Sequence, residues 1–129
     1  QLIDMYKKNT PIFVKLSPDE TEENLKSLIE VSEKNRIDGF ICCNTTTDHI
    51  YPVAGGMSGA LLSEKAGNMQ KKVAEIKQEK SILIASGGVM NESDVKERLI
   101  NSADLVQLYT GYIYQGNSLL KKALKISSS

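Results

Sequence analysis

Polar side chains that could bind a charged ligand stand at the ends of short apolar runs in this sequence. Lys15 interrupts the apolar run 12–16, and Asn44 and Thr45 directly follow the run 39–43. A buried ammonium group is costly unless it meets an anion or a developing negative charge. Asn and Thr supply neutral hydrogen-bond donors and acceptors. These residues predict a site for a polar, anionic ligand, although a solvated lysine and ordinary turn residues would give the same pattern.

Glycine clusters point to the same chemistry. They occupy segments 55–59, 85–88 and 109–111, and the last two follow consecutive apolar runs. Glycine permits positive φ and close approach of the backbone, so that amide groups can face an anion or a flat ring. Two consecutive strand ends of this kind are typical of the phosphate site in (β/α)₈ barrels. For segment 55–59, a flexible Gly-Ser loop is the alternative.

The sequence offers no convincing nucleophile, general base or metal site. Cys42 and Cys43 are adjacent, which places them poorly for a mutual disulfide or a spaced metal site. Cysteine at the end of a buried strand usually behaves as a small hydrophobe. His49, the only histidine, falls in a long polar segment and is interpreted as a solvated loop residue. We therefore predict ligand-binding groups without a catalytic base.

The elements that must position these residues form a regular alternation. Four near-continuously apolar runs, as expected of strands buried on both faces of a parallel sheet, alternate with segments of helical periodicity. Thr21 is the predicted N-cap of the first helix, and Asn91 or Ser93 that of the third. The order βα repeated four times predicts a parallel α/β fold. Segment 44–64 lacks apolar periodicity, and structureless loops of that length are usually functional. The four runs are 12–16, 39–43, 82–85 and 105–109.

Length and composition bound the function. The 129 residues include 16 basic and 16 acidic side chains and are 40% hydrophobic, which is an ordinary globular composition. The charge balance argues against nucleic-acid binding. No apolar run is long enough to span a bilayer, and the cysteine usage indicates a reducing compartment. A complete (β/α)₈ barrel needs roughly 250 residues. The length of this chain therefore fits an open doubly wound domain or half of a (β/α)₈ barrel equally well.

Taken in order, five segments resemble the dihydroorotate dehydrogenase family, from its fifth barrel strand to its end. They are 14–19, 44–46, 55–59, 85–89 and 105–111. The Asn-Thr-Thr and Gly-Gly-x-Ser-Gly forms are more similar to the membrane-associated, quinone-using class. The resemblance implies that residues 1–129 are the C-terminal half of a TIM (β/α)₈ barrel that binds FMN, and that the N-terminal half is absent, as the start at Gln1 also hints.

The resemblance also implies an activity. The family oxidises dihydroorotate to orotate in pyrimidine biosynthesis by hydride transfer to FMN, with quinone as the electron acceptor implied for this class. Its location is intracellular, peripheral to the inner (cytoplasmic or mitochondrial) membrane through an N-terminal region that this chain lacks. Dihydroorotate, quinone and the remaining half of the barrel are the implied partners, and nucleic acid is not one.

Carried over by position, the resemblance assigns roles to eight residues. Lys15 would contact the flavin near its N1–C2=O edge, and Asn44 and Thr45 would bind substrate. Cys43 stands where relatives often have Thr or Ser at the flavin. The base serine is expected in the missing half, so no catalytic residue is expected here and the 129 residues alone should be inactive. The remaining flavin positions are Gly59, Gly88, Tyr109 and Thr110, the last three near the phosphate.

Two other functions are compatible with the same residues. One is a different phosphate-binding barrel, either another FMN-dependent oxidoreductase or a sugar-phosphate isomerase. An isomerase would need a visible acid or base pair, and the combination of Lys15 with Asn44 and Thr45 argues against it. The other is a half-barrel that binds flavin or phosphate, or self-associates, without turnover.

Overall fold

The structure is a computed structural model that describes residues 10–52 and 54–127. Within this part, four strands alternate with helices. The strands are β1 (Phe13–Leu16), β2 (Gly39–Cys42), β3 (Ile82–Ser86) and β4 (Leu105–Gln107). The helices are α1 (Glu22–Lys34), α2 (Ser63–Ile76), α3 (Glu92–Ile100), α4 (Thr110–Gln115) and α5 (Asn117–Ser127), with a 3₁₀ turn at Gly59–Leu62. None of the helices in the described ranges is both long and apolar enough to cross a membrane.

The sheet is parallel throughout, and its strands stand in chain order, β1-β2-β3-β4. A doubly wound sheet reverses its strand order at a switch point, and no reversal occurs among these four strands. Because crossovers between parallel strands are right-handed, consecutive order places every crossover helix on the same face. Four consecutive βα units of this kind are the arrangement of half a (β/α)₈ barrel, so the doubly wound alternative is wrong.

The face of the sheet that carries the helices holds the core. Val14, Phe40 and Leu83 are register partners on this face, and Phe40 and Leu83 are fully buried. Ile29 of α1 and Val73 of α2 are also fully buried and belong to the same apolar cluster. Burying a side chain of this size contributes about 1.5–3 kcal/mol, so this layer fixes how the helices sit on the sheet.

The opposite face is the one that would point toward the axis of a closed barrel. Lys15, Ile41, Ile84 and Leu105 are register partners on it. Lys15 and Leu105, on the two outer strands, are exposed. The expectation that the strands are buried on both faces is therefore wrong for the outer strands, because no described segment covers their inner face.

Side-chain caps mark the starts of two helices, α1 and α3. The Thr21 hydroxyl accepts a hydrogen bond from the Asn24 amide at 3.2 Å and begins α1 as predicted. Asn91, rather than Ser93, caps α3, because its side chain bonds the Asp94 amide while the Asp94 carboxylate bonds back to the Asn91 amide.

The segment expected to be structureless contains regular structure instead. Thr46 and Met57 form an antiparallel bridge with reciprocal backbone hydrogen bonds of 3.2 and 2.7 Å. The 3₁₀ turn then leads directly into α2. A polar segment satisfies its backbone groups this way without any apolar periodicity, which is why the sequence pattern did not reveal it.

Candidate functional site

A cleft opens at the carboxyl ends of the strands, and its enclosed part has a volume of about 100 Å³. All eight residues that the resemblance selected line it, although they come from four different βα units. Parallel strands end at the same edge of a sheet, so residues far apart in sequence meet there. Ser58, Leu62, Ser86, Gly87, Val89 and Gln107 complete the lining, beside Lys15, Cys43, Asn44, Thr45, Gly59, Gly88, Tyr109 and Thr110.

The loop after β2 is held rigidly at the cleft. The Asn44 amide donates to the Leu16 carbonyl at 2.9 Å, which ties this loop to the end of β1. The Thr45 amide donates to the Asn44 side-chain oxygen at 3.0 Å. Gly56 packs against Thr45 so closely that a Cβ there would lie 1.9 Å from the Thr45 hydroxyl oxygen. Asn44 itself is exposed, so its side-chain NH₂ group can contact a ligand in the open part of the cleft.

An ionic network anchors the same loop from behind. The Lys65 ammonium group of α2 lies 2.6 Å from Asp19, 2.9 Å from the Thr46 hydroxyl and 3.0 Å from Asp48. Asp19 also accepts hydrogen bonds from the Thr46 hydroxyl and from the Thr47 amide, the latter at 2.8 Å. The network therefore joins the loops after β1 and β2 to α2.

The protonation states in this network follow from its hydrogen bonds. Burial opposes ionisation of Asp19, but the hydrogen bonds from Lys65, Thr46 and Thr47 outweigh it and hold the pKa of this carboxyl well below its ordinary value. The hydrogen bond to Asp19 is also the main reason that the pKa of Lys65 is raised. Both groups stay charged at neutral pH, and the loop keeps its anchor.

The other end of the cleft is built from glycines and an uncapped helix. Gly88 has a φ of +70°, and a Cβ there would lie 2.2 Å from the Ser63 Cα, so only glycine fits. α4 begins at Thr110 without a side-chain cap, which leaves its first amide groups available to an anion. The Ser58 and Thr110 hydroxyls are hydrogen-bonded to each other at 3.2 Å, which leaves the pair one O–H group to donate to a ligand. This donor set suits a phosphate group.

None of the lining residues has the properties of a general base. Burial raises the pKa of the Cys43 thiol to about 11 and that of Cys42 to about 12, so both stay protonated. His49 lies outside the cleft lining, and its Nε2 atom is 3.0 Å from the Gly55 carbonyl oxygen. The described part of the cleft contains no His, Asp or Glu side chain, so its polar groups suit ligand binding rather than proton transfer.

Sequence reasoning missed three residues near the cleft. Gln107 interrupts an apolar strand just as Lys15 does, and that signal could have identified it. Arg98 follows Val95 by three positions on the apolar stripe of α3, and an arginine there is a detectable anomaly. Lys65 looked like any solvated helix residue, and nothing in the sequence marked it.

Comparison with known proteins agrees with this geometry. The family model for dihydroorotate dehydrogenase matches residues 1–126. The chain is similar to "Dihydroorotate dehydrogenase (quinone)" of Dichelobacter nodosus, with 40% identity over 137 aligned positions, and of Halorhodospira halophila, with 37% over 135. Each alignment covers 99% of this chain and 40% of the relative. The chain thus spans about 40% of the length of these curated relatives.

Solved structures show the same fold. The chain superimposes on ligand-free dihydroorotate dehydrogenase from Eimeria tenella with a TM-score of 0.81 and 27% identity, over 89% of this chain and 34% of that one. The complex of the same enzyme with ferulenol gives 0.83 and 27%, over 91% and 33%. The partial TIM barrel predicted from the sequence is confirmed. The chain belongs to the dihydroorotate dehydrogenase family.

Proposed function

We propose that residues 1–129 form the C-terminal, flavin-holding half of a quinone-dependent dihydroorotate dehydrogenase. One observation carries this proposal: in a chain that belongs to the dihydroorotate dehydrogenase family, eight residues from four βα units line one cleft at the carboxyl edge of the sheet. In the whole protein, the reaction would be oxidation of dihydroorotate to orotate in pyrimidine biosynthesis. Members of this family are flavoproteins, and the bound FMN supplies the acceptor for the hydride.

The residues present fit FMN in two respects. The Gly88 position, the uncapped start of α4 and the Ser58 and Thr110 hydroxyls offer donors without a competing carboxylate among the lining residues, as a phosphate requires. Lys15 lies on the inner sheet face and reaches the cleft from the opposite side. The enclosed volume of about 100 Å³ is below the ~300 Å³ of the smallest usual ligand pockets, so this half alone would leave the flavin ring partly uncovered.

Each lining group would then have one task. The amide groups at Gly88 and at the start of α4 would hold the phosphate with Tyr109 beside it, and Gly59 would contact the flavin. Lys15 places a positive charge where the reduced cofactor gains negative charge, which stabilises the transition state electrostatically. Asn44 and Thr45 orient dihydroorotate, and the Asp19–Lys65 network keeps their loop in place. The proton acceptor would come from the N-terminal half.

The proposal extends to location and partners. Relatives of this class pass electrons to quinone at a membrane, so we propose peripheral attachment to an inner membrane through a region outside these 129 residues. The N-terminal half of the barrel is the partner that would cover the inner sheet face. It would also complete the substrate site.

A second candidate function is a half-barrel that binds flavin or phosphate without turnover. The observation that favours it is the lack of His, Asp and Glu among the described lining residues, together with a protonated Cys43. The two candidates share the flavin site and differ in whether dihydroorotate reduces the flavin.

One experiment tests both candidates. The natural polypeptide that carries these residues is purified, its cofactor is released and identified, and dihydroorotate is added without oxygen. Bleaching of the flavin, followed by reoxidation with a soluble quinone but not with fumarate or NAD, is the expected result. Bound FMN that dihydroorotate does not bleach would support the non-catalytic candidate. A folded protein without flavin affinity would contradict the first candidate and the flavin-binding form of the second.

A further inference from the structure

Arg98 of α3 is a buried cation that the site described above does not use. Its side chain is 4% exposed. One of its terminal nitrogens, Nη2, donates to the Ser63 carbonyl at 2.8 Å, to the Gly87 carbonyl at 3.3 Å and to the Ser63 hydroxyl at 3.4 Å. The other, Nη1, occupies the space that Gly67 leaves, because a Cβ on Gly67 would lie 2.7 Å from it. All of these acceptors are neutral.

No carboxylate in the described ranges forms a salt bridge with Arg98. A buried charge is normally paired, since desolvation without a counter-charge costs several kcal/mol. Burial accordingly lowers the pKa of Arg98, although a guanidinium remains charged in a protein. The fold therefore keeps a positive charge here that no described carboxylate bonds directly, and Glu97 and Asp94 of the same helix act on it only through space.

The positive charge of Arg98 lies directly behind the wall of the cleft and acts on groups that line it. Gly87 and Gly88 line the cleft on one side, and Arg98 bonds the Gly87 carbonyl from the other. In a trans peptide the C=O and the following N–H point in opposite directions. Because the Gly87 carbonyl points back to Arg98, the Gly88 amide points away from Arg98, and Gly88 lines the cleft. Among charged groups, Arg98 also has the largest effect on the Cys43 thiol, which lines the cleft as well.

We propose that Arg98 is a positioning residue for the phosphate end of the ligand. It aims the Gly88 amide into the cleft and supplies the positive charge that a bound phosphate neutralises. This inference rests on the proposed flavin function and deepens it, because it predicts that the site distinguishes FMN from riboflavin, the same flavin without phosphate.

The test compares the affinities for these two flavins in the natural polypeptide that carries the chain, stripped of cofactor. Flavin fluorescence quenching gives both dissociation constants without any measurement of activity. Arg98→Gln keeps N–H donors for the carbonyls and removes the charge. We expect it to weaken FMN binding roughly 10- to 100-fold, the range of a charged hydrogen bond, and to leave riboflavin binding nearly unchanged. Arg98→Lys, which restores the charge, should recover most of the FMN preference.

Gln70→Met is the matched structural control. Gln70 is buried and donates to the Arg98 and Asn101 carbonyls at 2.7 and 2.8 Å, so its loss loosens the same end of α3 without changing charge. It should lower the unfolding temperature and leave the FMN-to-riboflavin ratio alone. If Arg98→Gln does not fold, Gly67→Ala carries the test, because its new methyl group displaces Nη1 while alanine favours the helix.

The outcomes separate the two proposals. An unchanged ratio in the folded Arg98→Gln protein, or in Gly67→Ala where that variant carries the test, would overturn the role of Arg98. Equal affinity of the unaltered protein for FMN and riboflavin would overturn it as well, while flavin binding itself stands. Failure of the unaltered protein to bind either flavin would instead contradict the proposed function.

Discussion

At the scale of single residues, the role proposed for Lys15 is the most directly testable, because Lys15 is a cation in an otherwise apolar strand. Lys15→Met removes the charge and keeps the length of the side chain. We expect flavin reduction by dihydroorotate to slow by roughly 100- to 1000-fold, the usual cost of losing a preorganised electrostatic contact. The reduction potential of the bound flavin should fall, because its anionic reduced form loses a partner. A redox titration and anaerobic stopped-flow measurements would show both effects.

Asn44→Ala serves as the contrasting variant. It removes a neutral group from the substrate side of the cleft, so affinity for dihydroorotate and the reduction rate should both fall while the potential of the flavin stays constant. Lys26→Met, on the exposed side of α1, controls for the loss of a lysine elsewhere. A Lys15→Met protein with unchanged potential and rate would mean that this lysine is only a solvated strand residue.

Cys42 and Cys43 give a prediction that does not depend on any ligand. Both side chains are buried, and both thiols have raised pKa values, near 12 and 11. Since the thiolate is the reactive form, alkylation by iodoacetamide at pH 8 should be far slower in the native protein than in urea. Intact-mass measurements over time would follow the reaction. Rapid native labelling of Cys43 would contradict the closed packing around it.

At the scale of elements, the Asp19–Lys65 network links the loops after β1 and β2 to α2. Asp19→Asn keeps the shape and removes the charge that Lys65, Thr46 and Thr47 bind. Hydrogen bonds to charged groups are worth about 1.5–3 kcal/mol each, but Asp19 and Lys65 are partly exposed, so we expect a loss of only about 1–2 kcal/mol in unfolding free energy. Urea denaturation would measure it, with exposed Glu30→Gln as the control.

The same carboxylate predicts a pH dependence of stability. The folded pKa of Asp19 is lowered relative to the unfolded chain, so its contribution is fully present above the unfolded pKa of about 4 and is lost as pH falls below it. The unaltered protein should therefore be more stable than Asp19→Asn above about pH 4, and this difference in unfolding free energy should shrink as the pH falls below that value. An advantage that persisted undiminished at pH 2 would contradict a charge-based anchor.

The loop after β3 allows a test with two glycines that both have a positive φ. Gly88 and Gly116 have φ values of +70° and +57°, but only Gly88 has neighbours that a Cβ would meet. Gly116→Ala should cost about 1–3 kcal/mol from its positive-φ backbone conformation alone. Gly88→Ala should cost more, because it also pushes the loop away from Ser63, and it should weaken phosphate binding. Equal thermal destabilisation by the two variants would argue against the close backbone packing.

These elements also show what sequence reasoning can and cannot supply. The strands, the Thr21 cap and the chemistry of Lys15 and Asn44 follow from local residue type and period. α4 was not predicted, because its six residues carry no apolar stripe. Tyr109, the residue that precedes the helix as its N-cap, was assigned to the preceding strand. The Lys65 network could not be predicted, since its members are separated by up to 46 positions and only the fold brings them together.

At the scale of the whole molecule, one face of the sheet sets the behaviour of the isolated chain. The inner face carries Ile41, Ile82 and Leu105 in addition to Lys15, and Leu105 is 56% exposed. Within the described residues, β1 and β4 each present an unpaired edge. Exposed apolar faces and open strand edges both promote association. A closed barrel would cover the apolar inner face and would pair the open edges of β1 and β4.

The isolated 129-residue chain should therefore self-associate or aggregate, and it should become soluble when it is produced together with the N-terminal half of a relative. Analytical ultracentrifugation and calorimetry would measure this. Leu105→Lys, which places a charge on the inner face of an edge strand, should weaken self-association, whereas Leu61→Lys should not, because Leu61 is equally exposed, at 62%, but lies on the 3₁₀ turn outside the sheet. A stable monomer with a single cooperative unfolding transition would show that these four βα units need no partner.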